Sequence, residues 1–344
     1  MGVGVLLRAK RGVTIIRAVT DRSIAHYNLL ELIGREAIGE VYRARDTKVG
    51  RTVALKTLYP ELVADDTRRV ALFDEARLAA SLSHPNIAAL FEASEADGVS
   101  YFAYEFAVGA PLREEMAGRP MNPMRAVELS IQMADALADG HAAGVLHGDL
   151  RPDTVGVTAK GSAKLLDFGM WRWTRGGNVR RAASSSPESL PVEDIAIVSY
   201  MAPEQALGGE TDGRADLFSL GTLLYEMLTG KNPFAAATVT DAVMNVIRLS
   251  PPSPGSVQPD VPPELDAIVM RALSKDLASR YQSAASMSAD LRRIVPSLTE
   301  RPDPLGSDFV LSVDDPADKT PAAVWGVALL GLLALAAVTW LLLR

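Results

Sequence analysis

The chain has 344 residues, 48% hydrophobic and 22% charged, a balance that suits about two folded domains with a sizeable core and excludes a wholly disordered polymer. Lys and Arg number 35 against 42 Asp and Glu, and the formal charge of −7 argues against a nucleic-acid partner held through phosphate contacts. With no cysteine and only 4 histidines, disulfides, thiol nucleophiles and Cys-ligated metals are excluded, so chemistry falls to carboxylates, Lys, Ser/Thr and a bound metal.

The first stretch, residues 1–23, sets Arg8, Lys10, Arg11 and Arg17 among short apolar runs, which reads as a basic arm rather than a signal peptide. From Ile24 onward, short β-type runs alternate with turn signals: Tyr27–Ile33, Glu40–Arg45, Thr52–Leu58, Ile87–Ala93 and Val99–Phe106. One helical pattern interrupts them, from Thr67 to Leu82, with Val70, Phe73, Leu78 and Leu82 expected along its buried stripe. After Gly109 the period is mostly helical, over Pro123–Gly144, Leu217–Thr229, Val239–Ile247, Pro263–Leu273 and Ala284–Ile294. The Met-rich stretch Met116–Met124 reads as a short packing helix. A β-rich lobe over 24–107 therefore precedes an α-rich lobe over 108–296.

The segment 297–321 and Pro296 before it hold five prolines and several aspartates with few apolar residues, a composition that reads as a disordered linker. Residues 322–343 carry no charge and, as a helix, measure ~33 Å, enough to cross a ~30 Å hydrocarbon core. Trp325 and Trp340 lie near the two ends of this stretch, where interfacial rings sit, so a single C-terminal transmembrane helix is expected.

Between two strand-like runs stands Gly34-Arg35-Glu36-Ala37-Ile38-Gly39-Glu40-Val41, a glycine turn that lets backbone N–H groups approach a polyphosphate. Val53-Ala54-Leu55-Lys56 follows as an apolar strand ending in a lysine, and Glu75 on the next helix is within reach of it. Then come His147-Gly148-Asp149-Leu150-Arg151-Pro152-Asp153, Asp167-Phe168-Gly169 and Ala202-Pro203-Glu204.

These motifs in this order resemble the protein-kinase family and, more narrowly, the bacterial membrane-anchored serine/threonine kinases. The resemblance runs from Ile24 to Ile294 and includes Ser83-His84-Pro85-Asn86-Ile87, Asp216 and Arg280. It implies an α+β, two-lobed protein-kinase fold, and ATP with Mg²⁺ or Mn²⁺ as cofactors. It also implies a protein substrate or signalling partner, and a kinase-like domain facing the cytoplasm from the bacterial inner membrane. By the same resemblance, Lys56 takes the α- and β-phosphates and Glu75 holds it by an ion pair, while Asp167 binds the metal. Asp149 receives or orients the substrate hydroxyl proton and Arg151 stands at the γ-phosphate. Gly34, Gly39, Val41 and Ala54 enclose the nucleotide, Glu105 to Ala107 form the hinge, and Tyr104 controls access behind it. Glu204 with Arg280, and Asp216 beneath the catalytic loop, are expected to be structural.

Five positions depart from the family pattern. Glu36 stands at the middle glycine of the phosphate loop, Thr154 at the asparagine that holds a second metal, and Gly148 at the arginine before Asp149. Arg151 replaces a lysine, and Ile197 replaces the threonine three residues before Tyr200. A threonine oxygen is one bond short for direct metal ligation, whereas Glu36 is expected to rotate out to solvent, so Thr154 ranks as the more damaging change. The segment after Asp167, with Arg172, Arg175, Arg180, Arg181 and Ser184, Ser185, Ser186 and Ser189, is expected to be a loop that phosphorylation does not order through the usual arginine. Two readings stay open: a weakly active serine/threonine kinase, and a pseudokinase serving as an interaction scaffold.

Overall fold

The computed structural model describes residues 22–36, 38–173 and 192–299. Six antiparallel strands form the first sheet: β1 (Ser23–Ile24), β2 (Tyr27–Arg35), β3 (Gly39–Asp46), β4 (Arg51–Leu58), β5 (Leu90–Ala96) and β6 (Val99–Glu105), in the spatial order β1-β2-β3-β4-β6-β5. Strand alternation sorts the side chains. Tyr42, Ala44, Val53, Leu55, Tyr101 and Ala103 close one apolar face, and Phe102 and Tyr104 turn to the other, where the helix Asp66–Ala80 packs.

That helix begins where the Asp65 side chain accepts from Arg68 N, an ordinary N-cap. Its buried residues are Leu72, Ala76 and Ala79, while Val70 and Leu78 are exposed, so the stripe expected from the sequence is rotated. The alanines explain the rotation, because small side chains let the backbone close on the sheet and bring the larger Leu72 under it. Ile87 also departs from expectation. It lies outside β5 and makes a parallel bridge to Leu165, with Ala88 N donating to Leu165 O at 2.8 Å, so this stretch ties the first lobe to the second.

The second lobe opens on a small sheet of β7 (Gly109–Pro111), β8 (Val155–Thr158) and β9 (Ala163–Leu165), with the expected α-rich body beyond it. Helix Gly213–Thr229 is buried almost throughout and packs against Pro123–Ala142 and Pro263–Ala272. The methionines expected to share one helix divide: Leu112–Met116 is a short helix ended by Ala117 in the left-handed region, and Met121 and Met124 pack on the core beyond it. The last helix, Ala284–Thr299, continues five residues past its expected end at Ile294 and through Pro296, because Leu298 is still buried against the core.

Two lobes, one β-rich and one α-rich, are thus present as expected. The arm before residue 22, the serine-rich stretch 174–191, and the linker and apolar run from 300 onward lie outside the described residues. Among the described residues no helix is long and apolar enough to cross a membrane.

Candidate active site

Sheet register assembles the cleft wall. Val41 pairs with Lys56 across β3 and β4, and Ala54 pairs with Tyr104 across β4 and β6, so these side chains share one face of the sheet. Beneath them a cleft of about 310 Å³ is lined by Gly34, Glu36, Val41, Ala54, Lys56, Tyr104, Glu105, Ala107, Leu166 and Asp167. Gly39 lies at the turn behind, where a β-carbon would come within 1.8 Å of Thr57 O, so only glycine fits there. The expected nucleotide-site residues therefore converge.

Lys56 is buried, with Asp167 Oδ1 at 2.6 Å and Glu36 Oε2 at 2.5 Å from its Nζ. Burial works against its charge, but the two carboxylates outweigh it and hold the ammonium above its ordinary range. The Tyr104 ring lies 5.6 Å from the same nitrogen, and its buried hydroxyl has no hydrogen-bond partner.

The expected ion pair between Lys56 and Glu75 is not made. Glu75 accepts instead from Trp173 Nε1 at 2.6 Å and from Arg172 Nη1 at 3.0 Å. These donors lie three and four residues after Gly169 and draw the carboxylate toward that stretch of chain. Nor does Glu36 rotate outward as expected; the ammonium left unpaired by Glu75 attracts it inward.

Asp149, Arg151 and Asp153 form a chain of charges. Arg151 Nε donates to Asp149 at 3.1 Å and its Nη1 to Asp153 at 2.6 Å, while Arg113 holds Asp153 through both ends of its fork at 2.6 and 2.7 Å. Burial pushes the Asp149 carboxyl up, though Arg151 opposes this. Thr154 is not placed as a metal ligand. Its hydroxyl donates to Asp149 O at 2.7 Å and accepts from Arg151 N at 3.1 Å, so it closes the catalytic turn.

Asp216 anchors that turn from below, accepting from His147 N at 2.9 Å, Gly148 N at 2.7 Å and His141 Nε2 at 2.8 Å. Asp149 N donates to His147 Nδ1 at 3.3 Å, which leaves the proton on Nε2, a buried nitrogen with no hydrogen-bond partner, and the His147 and Phe168 rings meet at 68° with their centroids 5.2 Å apart. Gly148 has φ +73°, and a β-carbon there would come within 2.2 Å of the Trp171 indole. The arginine missing from this position is thus replaced by a packed aromatic ring. Sequence reasoning missed Trp171 and Trp173; their only signal was two tryptophans just after Asp167-Phe168-Gly169, and nothing local says which way they turn.

A divalent cation fits this donor set through Asp167. Mg²⁺ is commonly held by one or two carboxylates together with substrate phosphates and water. At the second position of the family pattern the Thr154 hydroxyl is already engaged with Asp149 O and Arg151 N.

The protein kinase domain model matches residues 27–290. A probable serine/threonine-protein kinase of Streptomyces coelicolor is 38% identical over 270 residues, which cover 77% of this chain and 39% of the relative. The serine/threonine-protein kinase PknB of Mycobacterium leprae is 34% identical over 273 residues, 78% of this chain and 43% of the relative. The chain therefore spans about two-fifths of the length of these curated relatives. The crystal structure of the Mycobacterium tuberculosis PknI kinase domain aligns at TM-score 0.62 and 26% identity, covering 80% of this chain and 98% of that one.

Proposed function

Because the chain belongs to the protein kinase family, in its bacterial serine/threonine type, we propose that its cleft binds ATP with Mg²⁺, or Mn²⁺ in its place, and transfers the γ-phosphate weakly to Ser or Thr of a protein. The observation that carries this reading is the Lys56–Asp167 pair in the wall of the cleft, with the Asp149–Arg151 pair near enough that the charge of Asp167 acts on Asp149. Val41, Ala54 and the 105–107 backbone receive the base, and Lys56 offers its ammonium to the phosphates. When bound, the metal supplies charge neutralisation between those phosphates and Asp167. Asp149, buried and oriented by Arg151, accepts the proton of the attacking hydroxyl.

Weak transfer follows from the conformation: Glu75 is held away from Lys56, and Thr154 brings no second metal ligand. The same two observations favour the second reading, a nucleotide-binding pseudokinase that acts as a scaffold. Radiolabelled phosphate transfer by the full chain, beside its Asp149→Asn variant, separates the two. Transfer lost in the variant supports the kinase; equal signals from both support the scaffold. We assign the apolar run 322–343 as a membrane anchor with the kinase domain on the cytoplasmic side, where ATP is found. External protease should leave the domain whole in intact cells; its digestion there overturns this placement.

A further inference from the structure

The phosphate end of the cleft already holds an anion that belongs to the chain. Lys56 is the one cation among the described residues lining the cleft, against the carboxylates of Glu36, Glu105 and Asp167. Its ammonium is shared between Glu36 at 2.5 Å and Asp167 at 2.6 Å. A phosphate oxygen approaching Lys56 meets both carboxylates.

Glu36 does not reach this place from a freely swinging loop. Its backbone N–H donates to Gly39 O at 2.8 Å, and Gly39 is pressed so closely on Thr57 O that no β-carbon fits. Glu36 and Gly39 are thereby held against β4, the strand that carries Lys56. An ion pair inside one chain also has the advantage of high effective concentration over a free anion. The base end of the cleft is a different surface, made by Val41, Ala54, Ala88 and Leu166, and Glu36 is bonded to none of it.

We propose that Glu36 is a tethered anion that competes with nucleotide phosphates for Lys56. The cleft accepts a purine nucleoside with Glu36 in place, and a triphosphate only after Glu36 has been expelled. Glu36 is then a specificity-determining residue that lowers affinity for polyphosphate without lowering affinity for the base and sugar. This rests on the reading of the cleft as a purine nucleotide site.

Isothermal titration of the full chain with adenosine, and with ATP in the presence of Mg²⁺, tests it in wild type, Glu36→Gln and Glu36→Asp. The dissociation constant for adenosine should stay within about twofold in all three, which also verifies that the variants are folded. That for ATP should fall tenfold or more in Glu36→Gln. Glu36→Asp keeps the charge but shortens the arm by one methylene, so its value should lie between the other two. If adenosine binds but ATP binds wild type and Glu36→Gln alike, the competition is overturned while the nucleotide site stands. If Glu36→Asp matches wild type, general repulsion by the loop replaces the ion pair as the cause, and the tether is overturned. Binding of neither ligand to any of the three overturns the nucleotide reading itself.

Discussion

Gly148 shows how a single position can be decided by its neighbours. A residue with a β-carbon at φ +73° costs ~1–2 kcal/mol, and here it also meets the Trp171 ring. Gly148→Ala should lower stability by about 2 kcal/mol or more in urea unfolding, and adding Trp171→Ala should recover the steric part alone. Restoring an arginine at 148 therefore should not restore a phosphate clamp.

Lys275 offers a pH test at the same scale. Its Nζ has no hydrogen-bond partner and lies 3.9 Å from the centre of the Phe234 ring and 4.7 Å from that of Phe218. Burial, with the charge of Arg280 beside it, pushes its pKa down to about 7. An unfolded lysine keeps its proton to about pH 10.4, so between these values the unfolded state binds more protons and stability rises with pH. The two rings favour the ammonium and shallow that rise. Lys275→Met should flatten the increase in melting temperature between about pH 7 and 10, and an unchanged slope would assign it to other groups.

For secondary-structure elements, the helix Asp66–Ala80 sets where Glu75 stands relative to Lys56. Its inward face rests on Leu72, so Leu72→Ala should cost ~2–5 kcal/mol, while Val70→Ser and Leu78→Ser, on exposed positions, should stay within ~0.5 kcal/mol. The same helix carries Glu75, which the Trp173 indole N–H holds away from Lys56. A hydrogen bond to a charged group is worth ~1.5–3 kcal/mol, which exceeds the ~1.4 kcal/mol of a tenfold shift. Trp173→Phe removes the donor and keeps most of the ring. It should raise the rate of phosphate transfer by up to about tenfold, measured by radiolabel incorporation, if Glu75 then turns to Lys56. A rate at or below that of wild type would show that the contact does not limit engagement.

Across the whole molecule, distant segments are locked by buried charge. Arg280, fully buried, donates to Glu204 at 2.7 and 3.2 Å and to the carbonyls of Ser274 and Arg214 at 3.0 Å each. Removing one partner leaves an uncompensated buried charge. Arg280→Met and Glu204→Gln should each cost ~3–5 kcal/mol by urea unfolding, and the double variant less than their sum. Additive losses would mean that the two side chains stabilise the lobe independently.

The sequence by itself determined the order of lobes, the strands around Lys56, and the structural placing of Asp216 beneath the 147–148 turn and of Glu204 on Arg280. Alternation, helical period and motif spacing are local properties, and the chain writes them in order. Only the tertiary structure decided which carboxylate sits on Lys56, because Glu36 and Glu75 are both within chain reach of it and the choice depends on Trp173 and Arg172 competing for Glu75. It likewise decided that the Thr154 hydroxyl closes a turn and that Trp171 covers Gly148. The rotation of the helix Asp66–Ala80 was illegible for a related reason: its apolar residues are spread around the axis, and the sheet beneath chose the face with the small alanines. Spacing places charged groups in one neighbourhood; packing and competition among their partners fix which of them meet.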